Sequence, residues 1–242
     1  MKYCLLCFLL IFSLTSCTVT ESMTINENGE GTITVDELRD EQSYMQWVGE
    51  DYNKENLYKD STYVVQDLIA VYAETFARLP DFEKEIFRQY NTVKVHEYKS
   101  AVEKIFRNTI TYSFKKVNTI PDLYKAIDYA DDIVHNYALS AEEHYYKVAY
   151  FYDGKIFKRT VTISNPVELE KQKTSIGNMT KQYAAFKVKQ DLILEYHFSK
   201  PIKSVSHPAA QISSDRKSVT IQLILSDCLI NPESSSVEVV FD

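Results

Sequence analysis

The chain has 242 residues, of which 45% are hydrophobic, an ordinary fraction for a globular protein. It carries 27 Lys and Arg residues against 34 Asp and Glu residues, which gives a formal net charge of −7. This acidic balance argues against binding to nucleic acid, which requires a basic face that displaces counterions from the phosphates.

The first residues have the pattern of a secretory signal peptide. Met1-Lys2 gives a basic start, an apolar run extends from Tyr3 to Leu14, and small polar residues lead to Cys17. The run is too short for a membrane-spanning helix, which needs roughly 20 apolar residues. We therefore predict that residues 1–16 are removed and that residues 17–242 form a single domain.

Leu14, Thr15, Ser16 and Cys17 resemble the bacterial lipobox, in which the cysteine after the cleavage point is acylated on sulfur. The resemblance implies that signal peptidase recognises Leu14, Thr15 and Ser16, and that Cys17 carries palmitate-type acyl chains. Two or more chains anchor a protein stably, whereas one binds the membrane only marginally. Thr18 rather than Asp follows the cysteine, and similarity to other Gram-negative lipoproteins then favours the outer membrane. An ordinary cleaved signal with an incidental cysteine is the alternative.

Cysteine content supports an anchored, disulfide-free domain. Cys4 and Cys7 leave with the signal, so Cys228 is the one other cysteine of the mature chain. An intramolecular disulfide or a multi-cysteine metal site is thereby excluded once Cys17 is acylated. Cys228 lies in an apolar run, which predicts a buried small hydrophobe. Loss of Lys2 leaves 26 Lys and Arg residues against 34 Asp and Glu residues, a net charge of −8 that repels anionic headgroups.

A β-hairpin is predicted at the start of the mature chain. Val19, Met23 and Ile25 alternate with polar residues before Asn28-Gly29, and Ile33 and Val35 alternate after it. Residues 37–60 follow as a connection with a short helix. Asp60-Ser61-Thr62 resembles the O-glycosylation motif of Bacteroidetes periplasmic proteins, although capping of the next helix is the simpler role.

Helical spacing of apolar residues from Val65 to Leu79 predicts an amphipathic helix that ends near Pro80, and a second short helix follows in 81–90. Strands are predicted at 92–99 and 110–114, and a helix that starts near Pro121 runs towards Val134. Two strands, 144–152 and 155–163, flank Asp153-Gly154, the clearest hairpin signal in the chain.

The rest of the chain is predicted to be mainly β. Residues 164–182 are polar, which predicts a loop or loose helix, and strands follow at 192–196, 219–225 and 237–241. This order predicts an α+β fold, a mainly antiparallel sheet built from hairpins with two or three helices packed against it.

The leading segment resembles that of a group of uncharacterised Bacteroidetes lipoproteins. The resemblance lies in Cys17, in the run Ile25-Asn26-Glu27-Asn28-Gly29-Glu30-Gly31 and in Ile33, with later matches at 110–114 and 214–220. The domain is also loosely similar to the LppM-type lipoprotein domain, for which lipid binding has been proposed. These matches are turn and strand signals, so the resemblance implies a compartment and a fold but no chemistry.

No catalytic, metal or cofactor site is predicted. The sequence contains no His-Glu-x-x-His string, no Gly-x-Ser-x-Gly elbow and too few glycines for a phosphate loop. Asp131 and His135 lie one helical turn apart and His144 follows, which leaves a metal site or a hydrolase cleft as a minor alternative. The 18 tyrosines are the one compositional excess. Four of them form a candidate surface for a ligand or partner: Tyr145, Tyr146, Tyr150 and Tyr152. Packing of these tyrosines in the core is the competing interpretation.

These observations favour a non-enzymatic, lipid-anchored protein of the cell envelope that acts as a binding or assembly component. Its partners are the membrane, through Cys17, and a protein, glycan or lipid. The alternative is a periplasmic carrier of a hydrophobic ligand, in which the sheet and the helix at 62–79 enclose a cavity.

Overall fold

The computed structural model describes residues 17–54, 58–135, 144–183 and 190–242. These ranges contain twelve strands and seven α-helices. The strands are β1 (Cys17–Ile25), β2 (Gly31–Arg39), β3 (Tyr58–Val64), β4 (Lys94–Ser100), β5 (Ile105–Phe114), β6 (Tyr146–Tyr152), β7 (Ile156–Ile163), β8 (Asp191–Phe198), β9 (Ile202–Val205), β10 (Ala210–Ile212), β11 (Ser218–Ile224) and β12 (Val237–Phe241). The helices are α1 (Glu41–Val48), α2 (Val65–Val71), α3 (Ala73–Arg78), α4 (Asp81–Arg88), α5 (Ala126–His135), α6 (Pro166–Tyr183) and α7 (Leu225–Ile230).

Eight strands form a large sheet in the order β10-β11-β8-β1-β2-β5-β4-β3. Neighbouring strands are antiparallel except β1 and β8, which are parallel. The strands alternate between buried and solvent-facing side chains, so the sheet has one face in the core and one towards water.

A smaller sheet, in the order β6-β7-β12-β9, packs on the buried face of the large sheet. Aromatic side chains join the two sheets: Phe157 on β7 lies 4.9 Å from Tyr196 on β8, and Phe198 lies 4.8 Å from Phe241, between ring centroids. Helices α4 and α5 complete the same core with Phe87 and Tyr129, whose rings are 5.2 Å apart.

The structure confirms the α+β class and both predicted hairpins, β1–β2 and β6–β7. It corrects the architecture in two respects. The strands form two sheets rather than one, and the described residues contain seven helices rather than two or three. The single parallel pair, β1–β8, is compatible with the predicted, mainly antiparallel arrangement.

Local contacts decide the structure of two segments. Residues 166–183 form a helix, which agrees with the helical alternative predicted for 164–182, because Asn165 caps the Glu168 amide and ion pairs one turn apart support the exposed side, such as Lys173 with Glu170 at 2.7 Å. Residues 58–64 are a strand, β3, because they pair with β4 along their whole length. Helix α2 therefore starts at Val65 without a side-chain cap, and Ser61 and Thr62 do not cap it.

Gly31 is required where the first hairpin closes. A Cβ atom at this position would lie 1.8 Å from the carbonyl oxygen of Thr24 and 2.9 Å from the ring of Phe114. We expect Gly31→Ala to lower the free energy of unfolding by about 1–3 kcal/mol, because backbone must move to admit the methyl group. Urea denaturation measures the effect.

Gly177, within α6, is the matched control, since a Cβ atom placed there would have nothing within 4 Å. Gly177→Ala is expected to be neutral or to stabilise the chain by up to about 1 kcal/mol through helix propensity. Equal unfolding energies for Gly31→Ala and the parent chain would contradict the close approach at Gly31.

Candidate functional site

One end of the large sheet begins at Cys17. The strands that meet there are fixed by register: Cys17 pairs with Arg39, Thr18 with Asp191, and Asp191 with Ile224. On the other side of β2, Leu38 pairs with Arg107, and Ser100 pairs with both Ile105 and Tyr58. We call this end the Cys17 edge, and it comprises Thr18, Leu38, Tyr58, Ser100–Ile105, Asp191 and Ile224.

An open groove of about 830 Å³ lies at the Cys17 edge, between the strand ends and α1. Its lining combines apolar and charged side chains: Thr18, Leu38, Arg39, Asp40, Glu41, Gln42, Met45, Gln46, Lys104 and Ile105. The groove is not the cavity that the carrier hypothesis places under the helix at 62–79. In that region Ile69 of α2, Phe76 of α3 and Tyr72, which lies between the two helices, pack against the core.

The solvent-facing side of the large sheet, here the outer face, is rich in hydroxyl groups. Ser22, Thr34 and Thr111 lie side by side across β1, β2 and β5, because they are register partners. The neighbouring row continues through Thr24, Thr32 and Ser113, all on the same side. Hydroxyl side chains on a flat face can exchange hydrogen bonds with a polar partner.

An ion pair is the principal charged feature of the interior. Glu21 of β1 and Arg159 of β7 are fully buried, and Arg159 Nε donates to Glu21 Oε2 at 3.0 Å across the two sheets. The hydroxyls of Tyr124 and Tyr196 each donate to the same carboxylate at 2.7 Å. Arg159 Nη1 donates to the carbonyl oxygen of Ser235 at 2.9 Å. Both charges are therefore hydrogen-bonded as well as paired.

Burial and the Glu21 carboxylate raise the pKa values of Tyr124 and Tyr196 well above the ordinary value, so both remain protonated donors at physiological pH. Burial alone would lower the pKa of Arg159, but Glu21 and the surrounding tyrosines raise it well above its usual value. Glu21, Arg159 and Tyr196 are buried and both tyrosines stay protonated, which is the behaviour of a structural network rather than of acid–base catalysts.

The four tyrosines of the candidate ligand surface lie mainly in the interior. Tyr145 and Tyr150 are 8% and 6% exposed, and Tyr146 and Tyr152 are half-buried. The expectation of an exposed tyrosine surface is therefore corrected for Tyr145 and Tyr150. The physical reason is that β6 turns Tyr150 towards Arg159 on β7, its register partner, and the Tyr145 hydroxyl donates to the Leu229 carbonyl at 2.9 Å.

Near α5 a histidine does meet a carboxylate, but the acidic and histidine residues do not form the metal site of the minor alternative. His144 Nε2 lies 2.6 Å from Asp128 Oδ2, not from Asp131. Burial, with the nearby Glu97 carboxylate, raises the pKa of Asp131. Within residues 17–54, 58–135, 144–183 and 190–242, no three His, Cys, Asp or Glu side chains are grouped as metal ligands.

Two smaller predictions concern Cys228 and the glycosylation-like motif. Cys228 is buried in α7 as a free thiol, which confirms the sequence interpretation, and burial raises its pKa. Asp60, Ser61 and Thr62 lie on β3, the last strand of the large sheet, where Asp60 contacts His96 at 3.1 Å. Leu14, Thr15 and Ser16 lie outside the residues that the structure describes.

Comparison with known structures finds a distant likeness. The NMR structure of the folded domain of Mycobacterium tuberculosis LppM aligns with 96% of this chain and 94% of its own length, with 10% sequence identity and a TM-score of 0.38. This likeness is too distant to carry a conclusion about fold or function. No family model and no curated protein matches the chain. None of the helices in the described ranges is both long enough and apolar enough to cross a bilayer.

Proposed function

We propose that this chain is a lipoprotein of the bacterial cell envelope that acts without catalysis, as a binding or assembly component. Acyl chains on Cys17 hold it to the membrane, and Thr18 after that cysteine favours the outer membrane. The observation that carries the proposal is that β1 starts at Cys17 itself, the residue that the lipobox-like sequence marks for acylation. The folded body therefore begins at the anchor without a spacer.

The outer face of the large sheet is the proposed binding surface. Its hydroxyl rows cross three central strands, and a partner that approaches from the envelope meets them without displacing any element of the core. The buried Glu21–Arg159 network, by contrast, is out of reach of a substrate. A protein or glycan with hydrogen-bonding groups suits such a surface, because each hydroxyl both donates and accepts.

A pull-down from native membranes tests this proposal. Replacing Thr34 and Thr111 together by Arg is expected to remove the captured partner, since two bulky charges then stand at the centre of the outer face. Gln66→Arg, at an exposed position of α2, is the matched control and should retain the partner. Lipidation and expression of all three chains are checked in the same membranes.

Two results would count against the outer face: recovery of no partner by the parent chain, or full recovery by the Thr34→Arg, Thr111→Arg variant. Mass spectrometry of the eluate distinguishes the alternative function. Stoichiometric lipid without a protein or glycan would favour a carrier that uses the groove beside Thr18.

A further inference from the structure

Exposed apolar side chains are concentrated at the Cys17 edge. Among the described residues, ten large hydrophobic side chains are exposed, and five of them belong to this edge: Leu38 at 40%, Tyr58 at 69%, Val102 at 86%, Ile105 at 37% and Ile224 at 56%. They come from four separate places in the chain, since Val102 and Ile105 share the β4–β5 hairpin, and strand register brings them together. Scattered exposed hydrophobics are normal, but a group of them at one end of a sheet marks a contact surface.

The opposite end of the same sheet is mainly polar and carries one exposed large hydrophobic side chain, Ile212 at 42%. The turns and strand ends there are Asn26–Glu30, Lys115–Lys116, Ser199–Lys200 and Ser213–Lys217. Strand β1 runs from Cys17 to Ile25, so the two ends lie roughly 27 Å apart at the usual rise per residue. The sheet is therefore amphipathic along its strands, with its apolar end at Cys17.

We infer that the Cys17 edge rests on the lipid bilayer, with Val102, Tyr58 and Ile224 in the membrane interface. The inference depends on the proposed acylation of Cys17, which brings this edge and no other to the lipid. Val102 lies in the turn of the β4–β5 hairpin and, at 86%, is the most exposed of the five side chains. Tyrosine suits the interface, where its ring is apolar and its hydroxyl stays hydrated.

Charge at the edge fits a zwitterionic surface better than an anionic one. The exposed cations Lys59, Lys104 and Arg107 stand beside the exposed acids Asp60 and Glu103. Lys59 pairs with Glu97, and Arg107 pairs with Asp36 at 2.7 Å, so few positive charges remain to attract anionic headgroups. Long basic side chains in such places keep their charge in water while their stems lie on apolar surface. The contact is thus mainly hydrophobic and needs no anionic lipid.

A contact of this kind fixes the orientation of the body. The strands stand along the membrane normal, with the Asn26–Glu30 turn farthest from the lipid and the outer face turned sideways, open to a partner in the envelope. An acylated cysteine alone would leave the body free to tumble around its attachment. The apolar edge removes that freedom.

Fluorescence quenching on the lipidated, full-length protein tests the inference. Val102→Cys is labelled with an environment-sensitive dye and reconstituted in phosphatidylcholine vesicles, with bromine on the acyl chains as the quencher. Cys228 is replaced by Ser in every chain, so that the dye has one site. Glu27→Cys, exposed in the turn at the opposite end, is the matched label. We expect several-fold stronger quenching at position 102 than at position 27, unchanged when phosphatidylglycerol is added.

A second set of chains shows whether the side chains themselves make the contact. The label is moved to Ile224→Cys, and Val102→Asp is added. We expect quenching at position 224 to fall, because a carboxylate at the hairpin tip opposes insertion. Val71→Asp, the same change at a valine that is 74% exposed on α2, should leave quenching at position 224 unchanged.

The outcomes separate the inference from the proposed function. Retention in the vesicles with equal, weak quenching at 102 and 27 would overturn the membrane contact and leave the anchor intact. Absence of the parent chain from the vesicles would overturn the anchor and the inference with it. If the dye at position 102 became shielded from water as protein concentration rises, without dependence on lipid, the Cys17 edge would be a contact between two copies of the chain. This result too would overturn the inference.

Discussion

Arg159→Met is expected to lower the free energy of unfolding by about 3–5 kcal/mol, because it leaves the Glu21 carboxylate charged and unpaired in the core. Both partners are essentially inaccessible to solvent, at 2% and 0% exposure. Tyr124 and Tyr196 continue to donate to Glu21, so the carboxylate keeps two of its hydrogen bonds in the variant. Urea denaturation of the non-lipidated chain measures the change, and the midpoint should move while the slope stays constant.

Arg107→Met is the matched control. Arg107 makes a bidentate pair with Asp36, at 2.7 and 2.9 Å, but its side chain is half exposed on the outer face. The cost of removing an exposed pair is below about 1 kcal/mol. A double change, Glu21→Met with Arg159→Met, should recover much of the lost stability, since no charge is then buried alone. A loss of less than about 1 kcal/mol for Arg159→Met would show that water reaches Glu21.

The position of this ion pair shows where the sequence held a usable signal. Glu21 stands among Val19, Met23 and Ile25 on the buried side of β1, and Arg159 stands between Phe157 and Val161 on β7. Each is a charge at the centre of an apolar alternation, which indicates a buried partner of opposite sign. Pairing the two residues from sequence fails because they are 138 positions apart and belong to different sheets.

Local turn chemistry explains the parts of the fold that sequence predicts well. Asn28-Gly29 and Asp153-Gly154 set both hairpins, and Gly29 and Gly154 adopt the positive φ values, 80° and 85°, that such turns demand. The parallel pairing of β1 with β8 has no such local cause. It joins residues about 170 positions apart, and nothing near Asp191 in sequence specifies it.

The two candidate surfaces also depend partly on local sequence patterns and partly on strand order, which is not local. The hydroxyl rows of the outer face follow from strand periodicity once the strand order is known, but the order itself is not local. The Cys17 edge depends on that order even more, because Val102, Tyr58 and Ile224 have no shared pattern in sequence. The prediction of a tyrosine surface is wrong at Tyr150 for a related reason: alternation places this residue on one side of β6, but only the position of the other sheet decides which side is buried.

Cys17→Ser is expected to abolish acylation completely, and with it the lipid anchor. Metabolic labelling with palmitate should mark the parent chain and Cys228→Ser to the same extent and leave Cys17→Ser unlabelled. The loss is large because each methylene group that an acyl chain buries contributes about 0.8 kcal/mol. Cys228 is the suitable control, since it is the other cysteine outside the first sixteen residues and is buried in α7.

Fractionation needs a second chain to be decisive. Cys17→Ser should remain an unprocessed precursor that still carries the apolar run from Tyr3 to Leu14, and this run can hold it at the inner membrane. Replacing residues 1–16 of the Cys17→Ser variant by an ordinary cleavable signal removes that complication, and this second chain should then be recovered free in the periplasm. Its persistence in the membrane fraction would refute acylation as the anchor. That result would assign membrane binding to the folded body, where the five exposed apolar residues of the Cys17 edge are the groups able to supply it.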